Sequence, residues 1–508
     1  MMMVNPFDII KLMSKKQRYV LLSVILIIAT FLRFYHITST PPGLYPDEAM
    51  DGNNAVEVSQ GLAHFQVFYT EDNGREGLYV NILAVMFKIW PIYQPWMIRL
   101  PAAVAGVLTV WGLYLLVAEL WSAEVGLLAA FLLATSVWHI MFSRIGFRAI
   151  LAPLCLVWSL YLLTKAYHAI SCSAKAWWYT IGAGIVYALG FYTYIAYRIT
   201  PLLFLLFIPF FRKLEGFWKK TMLFIVITFL VALPIGLYFV QHPGTFFGRT
   251  AEISVTSASN PVHDLAVNIV KEALMFNYHG DYNWRQNISG APELFWPVGI
   301  LFIVGIILAL YVLWLRARKK DVGDNLAQLF PTFATLLTFA MIILGGLPAA
   351  ASDEGIPHAL RSILMIAPAM IFATLGGLWL YGVIKKYWNG GIAKALTVLF
   401  FMVVIGWAYY DYFIVWAQNP NVPGAFSANY VDIGRQINAL PVSTPKYIIV
   451  NAGGVLARGI PVPAETTMFI TNSFTTSTQQ EHNIHYLLPG QTSSIPMNTP
   501  TAEIFYIN

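Results

Sequence analysis

Glu76-Gly77-Leu78-Tyr79-Val80-Asn81-Ile82-Leu83-Ala84-Val85-Met86-Phe87-Lys88-Ile89-Trp90 is the stretch on which the topology of this chain turns. Asn81, Ala84 and Lys88 recur at three- and four-residue spacing, leaving a narrow polar stripe on an otherwise apolar helical surface. At 1.5 Å per residue the stretch reaches roughly 22 Å, short of the ~30 Å hydrocarbon core of a bilayer. It is therefore read as lying in the plane of the water–lipid interface and not as crossing.

That choice sets the side of every later loop. The chain has 508 residues, of which 58% are hydrophobic, 15% aromatic and only 11% charged. Soluble domains carry about 25% charge, so the composition indicates an α-helical polytopic membrane protein. The first apolar run, 19–31, follows Lys11, Lys15, Lys16 and Arg18. The positive-inside rule places residues 1–18 in the cytoplasm and the far end of that helix outside. No A-x-A-like cleavage site follows Thr30, so the helix is expected to be a retained anchor. With 76–90 flat, the next spans fall at 98–118, 124–142, 149–165, 177–192, 195–211, 221–240, 294–315, 327–347, 362–384 and 392–416, about eleven in all. Lys165/Lys175, Arg212/Lys213/Lys219/Lys220, Arg316/Arg318/Lys319/Lys320 and Lys385/Lys386/Lys394 then all lie in the cytoplasm. If 76–90 crossed, every one of these clusters would fall outside.

A transmembrane domain is thus expected over 19–416, with two larger outer pieces inside it at 38–96 and 241–293. In the first, Pro46 disfavours helix at Tyr45, so Asp47 is expected to cap a helix running to about Gly61. Residues 417–508 read as a small α/β domain on the non-cytoplasmic side, with strand-like runs at 446–450, 467–470, 485–488 and 503–507. Cys155 lies in an apolar run and Cys172 in the polar loop after it, which argues against a disulfide framework or cysteine metal site. The net charge of +6 sits beside helix ends, where topology explains it, and is no sign of nucleic-acid binding. Neither a glycine-rich nucleotide loop nor HExxH is present.

The chemistry-bearing side chains gather on the outer side. Pro41-Pro42-Gly43-Leu44-Tyr45-Pro46-Asp47-Glu48-Ala49-Met50-Asp51 sets two adjacent carboxylates just beyond the first helix. Asp47 and Glu48 have two readings, as helix caps set against a dipole or as an acid–base pair tuned by a neighbouring charge. Arg144, Arg148, Arg198 and Arg361 break the topological rule, because they sit in short outer loops where basic residues are disfavoured. They either snorkel to lipid headgroups or bind a phosphate through paired hydrogen bonds. Arg75, Glu76, His279, Asp281, Asn287 and His358 complete the set. No interior of a predicted span carries an Asp or Glu, Glu124 and Asp411 lying near span ends, which weakens a transporter reading.

Arg33, Pro-Pro-Gly-Leu-Tyr-Pro-Asp-Glu-Ala at 41–49, Gly74-Arg75-Glu76-Gly77, Arg99-Leu100-Pro101 and Phe142-Ser143-Arg144-Ile145-Gly146-Phe147-Arg148 together resemble the membrane-embedded GT-C glycosyltransferases. The likeness is to the protein O-mannosyltransferase-like superfamily, with the bacterial aminoarabinose transferase and RgtA/B/C/D-like enzymes as relatives. It covers roughly 21–416 and leaves the tail outside. The resemblance implies transfer of a sugar from a polyprenyl-phosphate carrier to an acceptor hydroxyl of a protein, lipid or polysaccharide, on the non-cytoplasmic side of the plasma or inner membrane. It implies Asp47 as the catalytic carboxylate, flat helices in the first outer loop and basic residues around the carrier phosphate. Glu48 would hold the acceptor or the Asp. Phosphate binding falls to Arg75, Arg144, Arg148, Arg198 and Arg361; acceptor or sugar binding falls to Glu76, His279, Asp281, Asn287 and His358. The aminoarabinose enzyme has a basic residue soon after its Asp-Glu; this chain has Ala49 and Met50 there, with Arg75 as the substitute charge. No obligatory cofactor or metal is expected, with room left for a divalent ion at the carboxylates. The rival reading is a flippase for lipid-linked sugar using the same outer cavity.

Overall fold

The structure is a computed structural model describing residues 13–169, 173–246, 254–255, 260–353, 355–388, 390–495 and 502–508. Lys11 and Cys172, invoked above, lie outside the described residues. Eight helices among the described residues are long and apolar enough to cross a membrane: Lys15–Phe34, Pro95–Leu120, Arg148–His168, Phe217–Gln241, Trp296–Ala317, Thr332–Ala350, Ile363–Tyr387 and Gly390–Trp416. The chain is an integral membrane protein of helical class. Three of the eleven expected spans take shorter or broken forms. The 177–192 segment lies in a helix of 17 residues, Ala174–Gly190, and 195–211 winds as a 3-10 turn followed by two short helices. The 124–142 segment divides into Ala123–Ala134 and Val137–Phe142.

The division of 124–142 has a definite cause. Arg33, fully buried, donates to the carbonyl oxygens of Ala134 at 3.0 Å and Leu133 at 3.3 Å. These carbonyls lie at the end of the first piece, and Leu133 also accepts from the Ser136 amide at 3.3 Å. Ser136 then accepts from the His139 amide at 3.4 Å and restarts the helix. The guanidinium also reaches His139 Nδ1 at 2.7 Å. Arginine can only donate, so Nδ1 must accept and the ring proton sits on Nε2.

The chain divides into two compact units. The first, residues 1–35, 103–143 and 149–415, holds most of the apolar helices. Within it, helices Trp296–Ala317 and Ile363–Tyr387 approach at Gly305 and Gly376. A Cβ at either would meet a backbone carbonyl oxygen of the other helix at 2.0 Å, so only glycine permits this contact.

The second unit gathers residues 36–102, 144–148 and 416–508. Helix Pro46–Ser59 and helix Leu78–Ile89 come from the first outer piece. The expected stripe in 76–90 is turned to use: Asn81 accepts from the Tyr69 hydroxyl and donates to the Gln66 carbonyl. The tail supplies a parallel three-stranded sheet in which Lys446–Val450 lies between Ile484–Leu487 and Glu503–Ile507. Its apolar residues bury Met50 of the first outer piece in one core with Tyr430, Ile448, Ile484 and Ile507. The expected strand at 467–470 is instead part of helix Glu465–Thr471. Glu465 in its first turn and left-handed Asn472 at its end are helix start and stop signals that outweigh the β-branched run.

Candidate functional site

In the second unit the site is built outward from the start of helix Pro46–Ser59. Tyr45 is extended and Pro46 opens the first turn, a position where the missing proline N–H costs nothing. Asp47 therefore lies inside the first turn and is not the cap, contrary to the sequence expectation. The cap contact is made by Glu48, which accepts from the Tyr45 amide at 3.2 Å, one half of a capping box. Asp47 is half-buried and Glu48 fully buried.

Glu48 is saturated. Arg99 grips it with Nε at 2.9 Å and Nη2 at 3.1 Å, and the Gly146 amide donates at 2.7 Å. Arg99 also donates to the carbonyls of Pro41 at 2.7 Å and Gly43 at 2.9 Å. One buried ion pair thus ties together the proline-glycine turn, the helix start, helix Pro95–Leu120 and the 144–148 segment. Gly43 sits at φ +77, and a Cβ there would meet the Phe426 carbonyl oxygen at 2.3 Å. The turn therefore requires glycine twice over, for its backbone angle and for its clearance. Arg99 was quoted in the sequence only as part of a pattern. A charge followed closely by proline in an apolar helix was the signal that could have singled it out.

The same helix carries a second row of charges. Arg75 bonds Asp51 and donates to Asn54 at 2.5 Å. Asn54 donates to Glu71 at 2.6 Å. Arg458 from the tail closes the row, donating to Glu71 at 2.8 Å and to both oxygens of Glu57 at 2.7 and 2.8 Å. Burial pushes the Asp51 carboxyl above its ordinary range despite Arg75 beside it. Arg75 is itself buried, so its guanidinium is taken up by the fold. The structure therefore shows Arg75 engaged with Asp51 and Asn54. Arg144 is likewise fully buried and donates to the Thr40 carbonyl at 2.8 Å. Arg148 keeps a side chain 17% exposed and pairs with buried Glu76 at 3.0 Å.

The other expected residues belong to the first unit. Asp281 is buried, accepting from the amides of Asn283 at 2.7 Å and Ala359 at 2.8 Å. His358 Nδ1 stands 3.8 Å from it. Glu272, which the sequence reading missed, accepts from the His358 amide at 2.9 Å and the Ser362 hydroxyl at 2.5 Å. Gln286 accepts from the Leu360 amide at 3.1 Å. Side chains from helix Pro261–Leu274 and the loop after it thus hold three consecutive amides of the 358–362 turn. Asn287 spends its amide on the carbonyls of Ala291 and Asp281, so it closes its own loop. His279 is exposed beside the rings of Tyr278 and Tyr282. Arg361 is half-buried and bonds the Ser352 hydroxyl. Arg198 is half-buried between the rings of Phe239 and Phe246 and donates to the Phe246 carbonyl at 3.0 Å. Among the described residues no group of three or more His, Cys, Asp or Glu side chains is placed to hold a metal ion.

Burial raises Asp281 to about 6 and Glu272 to about 7. A carboxyl raised in the folded state stabilises most below its ordinary value near 4, and that contribution is lost as pH rises through the raised value. The 358–362 turn is expected to hold more tightly at pH 5 than at pH 8, by at most on the order of 2–3 kcal/mol per carboxyl. Hydrogen exchange of its amides, corrected for intrinsic pH dependence, checks this; unchanged protection between the two pH values would contradict it.

Comparison with known proteins places this geometry in a fold. A family model described as dolichyl-phosphate-mannose-protein mannosyltransferase matches residues 78–238. Among curated proteins none matches by sequence. The chain is similar to the oligosaccharyltransferase of Archaeoglobus fulgidus in its apo form, at 14% identity and TM-score 0.53 over 94% of this chain and 65% of that one. It is similar to ArnT from Cupriavidus metallidurans bound to undecaprenyl phosphate, at 13% identity and TM-score 0.53 over 93% and 90%. A third likeness is to AglB from Archaeoglobus fulgidus in complex with an inhibitory peptide and a dolichol-phosphate, at 13% identity and TM-score 0.54 over 90% and 64%. The chain thus spans just under two thirds of the length of the archaeal structures it matches. The fold is that of the GT-C membrane glycosyltransferases, as the sequence resemblance implied.

Proposed function

We propose that this chain transfers a sugar from a polyprenyl-phosphate carrier to an acceptor hydroxyl on the non-cytoplasmic side of a cell membrane, with inversion at the anomeric carbon. The observation that carries the reading is the unequal pair Asp47 and Glu48. Glu48 is buried and saturated by Arg99, Gly146 and Tyr45, while Asp47 stays half-buried in the helix turn that this lock fixes. A positioned, partly accessible carboxylate is what a general base needs. Glu48 is then a positioning residue. The likeness to structures holding undecaprenyl phosphate and dolichol-phosphate supports the carrier class.

In this reading the Asp47 carboxylate takes the proton of the acceptor hydroxyl as its oxygen bonds to the anomeric carbon. The bond from that carbon to the carrier's phosphate oxygen breaks, and its electron pair leaves on the phosphate. The leaving phosphate needs positive charge more than it needs a proton. Arg148, in the same unit as Asp47 and partly exposed, is assigned to it. Arg75 and Arg144 are assigned to the fold, Glu76 to holding Arg148, and exposed His279 to the acceptor. Asp281, Asn287 and His358 are assigned to shaping the outer loops.

Membranes carrying the chain should convert a polyprenyl-phosphate sugar and acceptor into glycosylated acceptor and free polyprenyl phosphate. Arg148→Ala should weaken carrier binding by about 1–3 kcal/mol, and parental binding by the variant would place the phosphate elsewhere. Movement of the carrier across the bilayer without release of sugar would make the chain a flippase and overturn the reading.

The sidedness has its own test. Single cysteines at Lys219 and Lys319 should resist an impermeant thiol reagent added outside, whereas one at Tyr278, 63% exposed, should react. Labelling at position 319 from outside would reverse the topology.

A further inference from the structure

A cavity of about 280 Å³ in the first unit is lined by Thr135, Asn287, Glu293, Trp296, Trp407 and Asp411, among apolar side chains, and none of its lining residues is basic. Glu293 is 4% exposed. Its Oε1 accepts from the Asp281 amide at 3.0 Å, and its Oε2 is buried with no partner among the described residues. Asp411 lies on the seven-residue π-helical end of the last span, Tyr410–Trp416, a wide turn of the kind that often marks functional sites. Asp411 has no hydrogen bond or counter-ion among the described residues.

Two carboxyl groups share this cavity with Thr135 and Asn287, and no lining residue is basic; such groups either stay protonated or are joined by something positive. A hard metal ion would ask for six or more oxygen ligands, and among the described residues no group of three or more His, Cys, Asp or Glu side chains is placed to hold one. An organic ammonium suits the site better, because aromatic faces attract it while carboxylates accept its N–H groups. The place of the cavity narrows the source. Trp296 opens one span and Asp411 lies near the end of another, and tryptophans mark the depth of lipid headgroups.

We propose that this cavity binds the ammonium of an amine-bearing lipid headgroup, held between Glu293 and Asp411 against the indoles of Trp296 and Trp407. The role is separate from sugar transfer and does not depend on Asp47.

The full chain reconstituted in nanodiscs of mixed phosphatidylethanolamine and phosphatidylglycerol is the test, with retained lipids counted by mass spectrometry after extraction. The parent chain should retain phosphatidylethanolamine at least tenfold over phosphatidylglycerol. Asp411→Asn, which removes charge from a group with no protein partner, should erase that preference, and Asp411→Glu should keep it. Glu293→Gln should act in the same direction; should it fail to fold through loss of the Asp281 contact, the Asp411 pair of variants still decides. Millimolar ethanolamine should not displace the lipid. Displacement would assign the site to a soluble amine and overturn the lipid source, whereas equal retention of both lipids by the parent, or an Asp411→Asn variant that keeps the preference, would overturn the site.

Discussion

Asp47→Asn is expected to lower sugar transfer about 10²–10⁴-fold, the usual loss when a general base is removed, while the protein inserts and folds as before. Asp47 is inside the first turn of helix Pro46–Ser59 and Glu48 makes the bond to the Tyr45 amide, so the substitution leaves the cap contact intact. Asparagine keeps the shape and loses the ability to take the acceptor's proton. The measurement is transfer from purified polyprenyl-phosphate sugar by membranes matched for protein, alongside retention of the carrier lipid. Near-parental transfer by the variant would remove Asp47 from the mechanism.

Arg99→Leu is expected to cost stability first. It leaves Glu48 buried with no counter-charge, and removing one member of a buried ion pair costs about 3–5 kcal/mol. Carbonyls of Pro41 and Gly43 lose their donors as well. Glu48→Gln should fall in the same class, because a neutral amide facing a buried guanidinium leaves the opposite charge unpaired. Denaturant or thermal unfolding in detergent measures both; the pair is coupled, so the double variant Glu48→Gln/Arg99→Leu should be less damaging than the sum of the single changes. Additive losses would mean that the two side chains stabilise the fold separately.

These two positions show where sequence reading succeeds and where it stops. Helical spans are legible because a bilayer demands about 20 apolar residues for each crossing, and such a demand leaves a local trace. Strands at 446–450 and 503–507 are legible from short runs of β-branched and aromatic residues bounded by turns. The pairing of Glu48 with Arg99 joins residues 51 positions apart, and no periodicity encodes it. The partners of Arg75, Asp51 and Asn54, lie over twenty positions upstream and were not legible either. The break at Thr135 was hidden for the same reason, since its cause is Arg33, about a hundred positions upstream. The partly buried arginines Arg148, Arg198 and Arg361 drew notice because a basic residue in a loop expected outside is a local anomaly.

The bond between Glu57 and Arg458 spans 401 residues, and this distance sets a schedule for making the protein. The helix that carries Asp47 is synthesised early, yet the core that buries its neighbour Met50 includes Ile448, Ile484 and Ile507. At ordinary rates of synthesis of about 5–20 residues per second, the ribosome needs roughly 20–80 s to pass from one partner to the other. Throughout that interval the 38–96 segment has the apolar face around Met50 uncovered and Glu57 short of its cation. During translation it is thus a client for whatever holds unfinished chains. A stop codon anywhere before the final strand would leave the early loop unfinished even though every residue of that loop is present.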